Sequence, residues 1–188
     1  MIQALISDFD GTLVDTFEAN FLAYQEAFRG VGHELTRERY KECFGYRFDR
    51  FMKEMSIADI ATAAKIRELK KVAYPNFFSH LIPNKPLIDF ISAFKASGGK
   101  TAIASTARRE NLMNALNHLG IAGCFDLIYS AEDVKEGKPA PEIYLNTMER
   151  LKVTPEETLI FEDSPVGIEA AKKSGAQYIQ ISEIWFIQ

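Results

Sequence analysis

The pattern that most constrains this chain begins at Pro86, where short apolar runs start to alternate with segments of helical period. Leu87, Ile88, Phe90, Ile91 and Phe94 mark one helix face, which Gly98-Gly99 ends. Thr101–Ala104 then reads as a strand, Asn111–Leu119 as a helix and Phe125–Tyr129 as a strand. Pro141–Leu151 follows as a helix, Thr158–Phe161 as a strand, Gly167–Lys173 as a helix and Tyr178–Ile181 as a strand. Strands separated by helices pair through right-handed crossovers, so the segment predicts an α/β fold, a doubly wound parallel sheet with helices on both faces. The apolar run Ala4–Ile6 supplies one more strand at the start.

Residues 15–84 break the alternation. They read as almost wholly helical and without strands: Phe17, Phe21, Leu22, Tyr24 and Phe28 recur every three to four residues. Further helices are expected over Glu38–Phe44, Phe48–Met55 and Ile57–Tyr74, separated by Gly45 and Ser56, with Pro75 kinking or ending the last. The stretch reads as an all-helical insertion after the first strand, with Phe17, Phe21 and Phe28 in its own core. Pro83 and Pro86 mark the return. The expected domains are therefore 1–14 with 85–188, and 15–84.

Composition narrows the partners. At 188 residues, 47% apolar and 26% charged, the chain has the make-up of an ordinary globular protein, not of a disordered or disulfide-stapled one. A net charge of -4 argues against a general nucleic-acid coat or a polybasic membrane binder, and no apolar run approaches the length of a membrane span. Cys43 and Cys124 lack CxxC spacing, which suits a reducing compartment. Met1-Ile2-Gln3 leads straight into the first strand with no basic leader, so the expected address is cytoplasmic.

In a parallel sheet of this kind ligands bind beyond the carboxyl ends of the strands. That rule selects Asp8 and Asp10 after the first strand, Ser105 and Thr106 after the second and the Lys138 loop after the third. After the fourth come Glu162, Asp163 and Ser164. Each has an ordinary reading. A lone Asp-x-Asp is commonly a solvated acidic turn, a loop lysine is commonly exposed, and Ser164 before Pro165 is a good helix start. Capping accounts for Ser164 and Pro165 but not for two acids at a strand end. Carboxylates of Glu162 and Asp163 facing Asp8 and Asp10 would repel unless a cation lay between them, and hard oxygen donors favour Mg²⁺. Gly11 permits close backbone approach to a ligand, and Thr12 offers a short donor. Lys138, stiffened by Pro139 and Pro141, can neutralise a phosphoryl oxygen. Ser105 and Thr106 offer hydroxyls and freed amides to an anion.

Other features carry less. Ser97–Thr101 looks like the tail of a phosphate loop, but Phe94 stands where a glycine is required and the segment precedes its strand. His33, His80 and His118 show no metal spacing, and nothing near Cys43 argues for a nucleophile.

In combination, DFDGTLVDT at 8–16, IAST at 103–106, GKPAPEIY at 137–144 and EDSPVGIEAA at 162–171 resemble the four motifs of the haloacid dehalogenase-like superfamily. More narrowly, the chain is similar to its helical-cap phosphatases and phosphomutases, such as phosphoglycolate phosphatase and β-phosphoglucomutase. The resemblance runs from residue 4 to about 181, the cap matching in helicity and position. It implies a Rossmann-like core with an inserted helical cap.

It also implies that Asp8 is the nucleophile, forming an aspartyl-phosphate, and that Asp10 protonates the leaving oxygen and then activates water. Mg²⁺ would be held by Asp8, the main-chain carbonyl of Asp10 and Asp163, with Glu162 contributing directly or through water. Ser105, the Thr106 amide and Lys138 would bind the phosphoryl oxygens. Haloacid dehalogenases lack the second aspartate, so Asp10 argues against that activity. In the cap, Phe44-Gly45-Tyr46-Arg47 is the loop expected to reach a substrate, although a solvated arginine serves as well. The first expectation is a phosphatase acting on a small phosphorylated metabolite. A phosphosugar mutase is second, and a non-catalytic binding protein on the same scaffold is third. The final apolar residues Ile184-Trp185-Phe186-Ile187 are expected to pack as a short strand or to cover an interface.

Overall fold

A computed structural model describes residues 1–182 and Phe186. The chain divides into two compact units, Met1–Asp15 with Ile82–Gln188, and Thr16–Leu81. The first is built on a parallel sheet. Its strands are β1 (Ala4–Ser7), β4 (Lys100–Ala104), β5 (Leu127–Tyr129), β6 (Thr158–Glu162) and β7 (Gln177–Gln180), in the order β5-β4-β1-β6-β7. Helices α5 (Lys85–Ala96), α6 (Arg109–His118), α7 (Glu142–Leu151) and α8 (Pro165–Ser174) lie between the strands in sequence. This is the doubly wound α/β architecture expected from the alternation.

β1 is central because it is buried throughout and pairs on both sides. Its Ser7 stands level with Ile103 of β4 and Phe161 of β6, so three strands end at one height. The chain winds from β1 outward to β4 and β5, then returns to the opposite side with β6. That reversal opens a crevice at the carboxyl end of β1. Small residues allow a close fit beneath it. Ala4, Ile6, Ala102, Ala104 and Ile160 from the sheet pack with Ile143, Tyr144 and Met148 of α7 and Ala170 and Ala171 of α8.

The second unit contains α1 (Phe17–Arg29), α2 (Arg37–Cys43), α3 (Phe48–Glu54) and α4 (Ile60–Ala73), followed by a 3-10 turn over Tyr74–His80. Its core is aromatic. Phe21, Phe28, Tyr40 and Phe51 are buried with Leu35, Met52 and Ile66, and Tyr24 meets Phe51 edge-on at 5.0 Å. Phe17 packs against the same cluster. α4 starts later than its apolar pattern suggests, because Asp59 caps it, accepting from the Thr62 amide at 2.7 Å. It ends at Ala73, just before Pro75.

One expectation needs correcting. The span 15–84 is not free of strands: β2 (Val14–Asp15) and β3 (Ile82–Pro83) form an antiparallel ribbon, with Val14 opposite Pro83 and Asp15 opposite Ile82. Strands of two residues are too short to show alternation, and Pro83 is tolerated because the ribbon is all edge. Pro86 lies in the first turn of α5, which Asn84 caps. Of the apolar tail Ile184-Trp185-Phe186-Ile187, Ile184, Trp185 and Ile187 lie outside the described residues. No helix among the described residues is long and apolar enough to cross a membrane.

Packing at the sheet centre should dominate stability. Ile160→Ala, at a fully buried position of β6, is expected to lower the unfolding free energy by about 2–5 kcal/mol. Removing the Asp59 cap with Asp59→Ala should cost only about 1 kcal/mol. Urea denaturation of the two variants checks the difference.

Candidate active site

Asp8 is the first residue beyond β1, and its amide donates to the Phe161 carbonyl at 3.0 Å. That bond carries the β1–β6 pairing one residue past the strand end. Lys138 arrives from the loop after β5. Glu142, the first residue of α7, shapes this loop by accepting from the Lys135 amide at 3.0 Å and the Glu136 amide at 2.7 Å. The Lys138 ammonium donates to Asp8 Oδ1 at 2.5 Å, to Glu162 Oε1 at 2.6 Å and to the Ala104 carbonyl at 3.0 Å. An ammonium has three hydrogens, and all three are used. The three side chains are all buried.

Glu162 ends β6, and five protein donors reach its carboxylate. Lys138 and the Tyr144 hydroxyl, the latter at 2.8 Å, share Oε1. The Asp163 amide, Ser164 amide and Ser164 hydroxyl reach Oε2 at 3.0, 3.2 and 3.2 Å. Ser164 also caps α8, accepting from the Gly167 amide at 3.1 Å, so it starts the helix as its sequence predicts and serves the site as well. Asp163 is held differently. Its Oδ1 accepts from the Thr12 hydroxyl at 2.7 Å.

Two glycines make room for these acids. A Cβ on Gly11, whose φ is +86°, would stand 2.3 Å from Asp163 Oδ2, and one on Gly167 would stand 1.8 Å from Glu162 Oε1. In this structure the close approach permitted by Gly11 is therefore to Asp163. Thr12 donates to the same residue, where the sequence suggested a ligand.

Asp8, Glu162 and Asp163 each present an oxygen within 4.8 Å of the others. One ammonium faces three carboxylates, and the titration of Asp8 and Asp163 is displaced upward. Burial lifts the Asp8 carboxyl well above its usual value, against Lys138, and Glu162 and Asp163 add to the lift. Burial and Glu162 push Asp163 up to about 6, opposed by its bond from Thr12. Burial disfavours the charge on Lys138, but Asp8 and Glu162 outweigh it and hold the ammonium well above its ordinary value. An acidic oxygen cluster short of countercharge fits a hard divalent cation. Asp8 and Asp163 would be its donors, since Glu162 is already engaged by five protein groups.

The remaining predicted residues are placed less tightly. Asp10 is half-buried in the turn after Asp8, where its backbone bridges Val14. Ser105 is buried at the end of β4, next to the carbonyl that Lys138 contacts, and its Oγ accepts from the Ala107 amide at 3.0 Å. Thr106 beside it is half-buried. In the helical unit Arg47 lies 3.9 Å from Asp49, which also pairs with Arg67. The three histidines are exposed and Cys43 is buried, in keeping with their ordinary readings. Tyr144 closes the GKPAPEIY segment, but nothing in that segment singles out its hydroxyl. It occupies an apolar position of an amphipathic helix, where an aromatic residue reads as core.

Removing Lys138 should be costly. Lys138→Met leaves Asp8 and Glu162 buried face to face without their shared cation, and should lower the unfolding free energy by about 3–5 kcal/mol. Chemical denaturation at pH 7 in the presence of a chelator measures it.

The comparisons with known proteins bear on this geometry. Residues 5–181 match the family model described as haloacid dehalogenase-like hydrolase. The chain is 33% identical over 186 residues to a phosphorylated carbohydrates phosphatase of Thermotoga maritima, an alignment covering 95% of this chain and 84% of that protein. Its fold is similar to crystal structures of CbbY from Rhodobacter sphaeroides. The complex with phosphate has a TM-score of 0.88 at 27% identity, covering 98% of this chain and 88% of that one. A mutant complex with xylulose-(1,5)bisphosphate has a TM-score of 0.86 at 28% identity, with the same coverage. Match length, identity and fold agree: the chain belongs to the haloacid dehalogenase-like hydrolases, in their phosphatase and phosphomutase branch with a helical cap.

Proposed function

We propose that this protein is a Mg²⁺-dependent phosphatase of small phosphorylated sugars, working through an aspartyl-phosphate on Asp8. The observation that carries the reading is the placement of Asp8. A buried carboxylate just beyond the end of the central strand, with the Lys138 ammonium on one oxygen and Asp10 two residues on, has the make-up of a nucleophile for an anionic electrophile. The relatives support the substrate class, one being named for phosphorylated carbohydrates and another bound to a sugar bisphosphate.

Each step has a residue to perform it. An Asp8 oxygen attacks phosphorus as the bond to the sugar oxygen breaks, and Asp10 gives that oxygen its proton. Water then attacks phosphorus, Asp10 takes its proton, and the Asp8–phosphorus bond breaks to release phosphate. Lys138, the Ser105 hydroxyl and the Thr106 amide hold the phosphoryl oxygens while charge spreads over them. Asp8, Asp163 and the main-chain carbonyl of Asp10 would hold Mg²⁺, which would supply positive charge where an anionic nucleophile meets an anionic phosphoryl group. Covalent catalysis divides one difficult hydrolysis into two displacements on a common site.

Phosphate release from sugar phosphates, phosphoglycolate and nucleotides, with and without Mg²⁺, tests the reading. Sugar phosphates should be turned over fastest, and a chelator should abolish release until Mg²⁺ is restored. Asp8→Asn should fall to background, and Asp10→Asn should lose about 10²–10⁴-fold in kcat. No Mg²⁺-dependent release from any phosphoester would overturn the proposal. Conversion of a hexose 1-phosphate to its 6-phosphate would assign the protein to the mutases instead.

A further inference from the structure

Tyr144 has no part in the reaction just described, yet it is fully buried at the base of the site. It belongs to α7, whose neighbouring buried positions are the apolar Ile143 and Met148 and Thr147, whose hydroxyl donates back to the Ile143 carbonyl of its own helix. Packing alone asks for a ring at this position and not for a hydroxyl. A phenol sealed from water must be hydrogen-bonded or it destabilises the fold. Here the hydroxyl donates to Glu162 Oε1 at 2.8 Å. The same oxygen accepts from Lys138 at 2.6 Å, and the ammonium lies 5.0 Å from the centre of the Tyr144 ring. One side chain thus touches both members of the Lys138–Glu162 pair.

The arrangement has a chemical consequence. Lys138 divides its three hydrogens among Asp8, Glu162 and the Ala104 carbonyl. To meet a phosphoryl oxygen it must loosen one of these bonds. How readily it does so depends on how strongly the buried Glu162 carboxylate draws it. A second donor on Oε1 occupies one of the two lone pairs of that oxygen and weakens its pull on the ammonium.

We propose that the Tyr144 hydroxyl is a positioning group for Lys138, acting through Glu162 to keep the ammonium shared with Asp8 and available to the transferring phosphoryl group. This rests on the phosphatase reading above. Without the hydroxyl, Glu162 draws the lysine toward itself and the phosphoryl group loses part of its countercharge.

Tyr144→Phe keeps the ring and removes only the hydroxyl. Three quantities are measured on the full-length protein: kcat for a sugar phosphate, half-saturation by vanadate as a probe of the phosphoryl subsite, and half-saturation by Mg²⁺. The expected result is a loss of about tenfold in kcat and a similar weakening of vanadate, the scale of one hydrogen bond to a charged group. Mg²⁺ half-saturation should stay within about twofold, because the affected bond is on the lysine side of the site. Unchanged kcat and vanadate binding would overturn the proposal, showing that the hydroxyl only satisfies a buried oxygen. Parallel loss of all three, with a large fall in melting temperature, would overturn it in favour of a packing role.

A second comparison does not depend on the single variant. In a Glu162→Gln background, where residue 162 carries no charge, adding Tyr144→Phe should change vanadate binding by less than about twofold. A full additive loss there would also count against the proposal. If the wild-type protein releases no phosphate from any phosphoester, the phosphatase reading fails first. An active wild type with an unaffected Tyr144→Phe variant rejects this inference alone.

Discussion

The buried ammonium of Lys138 is the interaction on which the rest of the first unit depends. It ties together the ends of β1, β4 and β6 through Asp8, the Ala104 carbonyl and Glu162, which are far apart in sequence. A charge taken out of water is tolerated only when its hydrogen bonds are complete and its counter-charges close. Both conditions are met here, and meeting them requires three strands to finish at the same height. The level register of Ser7 with Ile103 and Phe161 supplies that. Sheet geometry and site electrostatics are thus a single requirement, since a one-residue slip of β6 would turn Glu162 to the opposite face.

Around this pair the acids divide into two kinds. Glu162 is surrounded by protein donors, including the amides at the start of α8, and is structural in its contacts. Asp8 and Asp163 are left with less, and burial raises both toward the protonated state. A protein could have relieved this with a second lysine. It carries an oxygen cluster instead, which leaves the deficit for a cation to fill and keeps the charge near Asp8 tunable by what binds there. Gly11 and Gly167 belong to the same design, because Asp163 and Glu162 respectively occupy the volume that a side chain would take.

Much of this was legible before any coordinates. The alternation after Pro86 specifies the parallel sheet, and the strand-end rule picks out Asp8, Lys138, Glu162 and Asp163 because topology alone carries them to one edge. Three features escaped for physical reasons. The β2–β3 ribbon is too short for a period to show. The start of α4 is set by the bond that the Asp59 carboxylate accepts from the Thr62 amide, while the apolar pattern begins earlier at Ile57. Tyr144 is hidden because its ring satisfies the helix pattern fully, and spacing says nothing about where a hydroxyl points. Gly11 reads in the sequence as room for a ligand; in the structure the group beside it is the Asp163 side chain.

The short ribbon of Val14–Asp15 with Ile82–Pro83 has a consequence for how the chain reaches this state. Pairing β1 with β4 closes a long loop, and loop closure costs entropy that rises with the logarithm of its length. The segment Thr16–Leu81 has its own aromatic core, so its collapse is driven by contacts local to itself. Joining its two ends as a ribbon shortens the effective distance between β1 and α5 to a few residues. The sheet is then assembled from neighbours, as if the whole helical segment had been reduced to a tight turn. The insertion raises the sequence separation of every β1 pairing, but with the ribbon formed it adds little to the loop that remains to be closed.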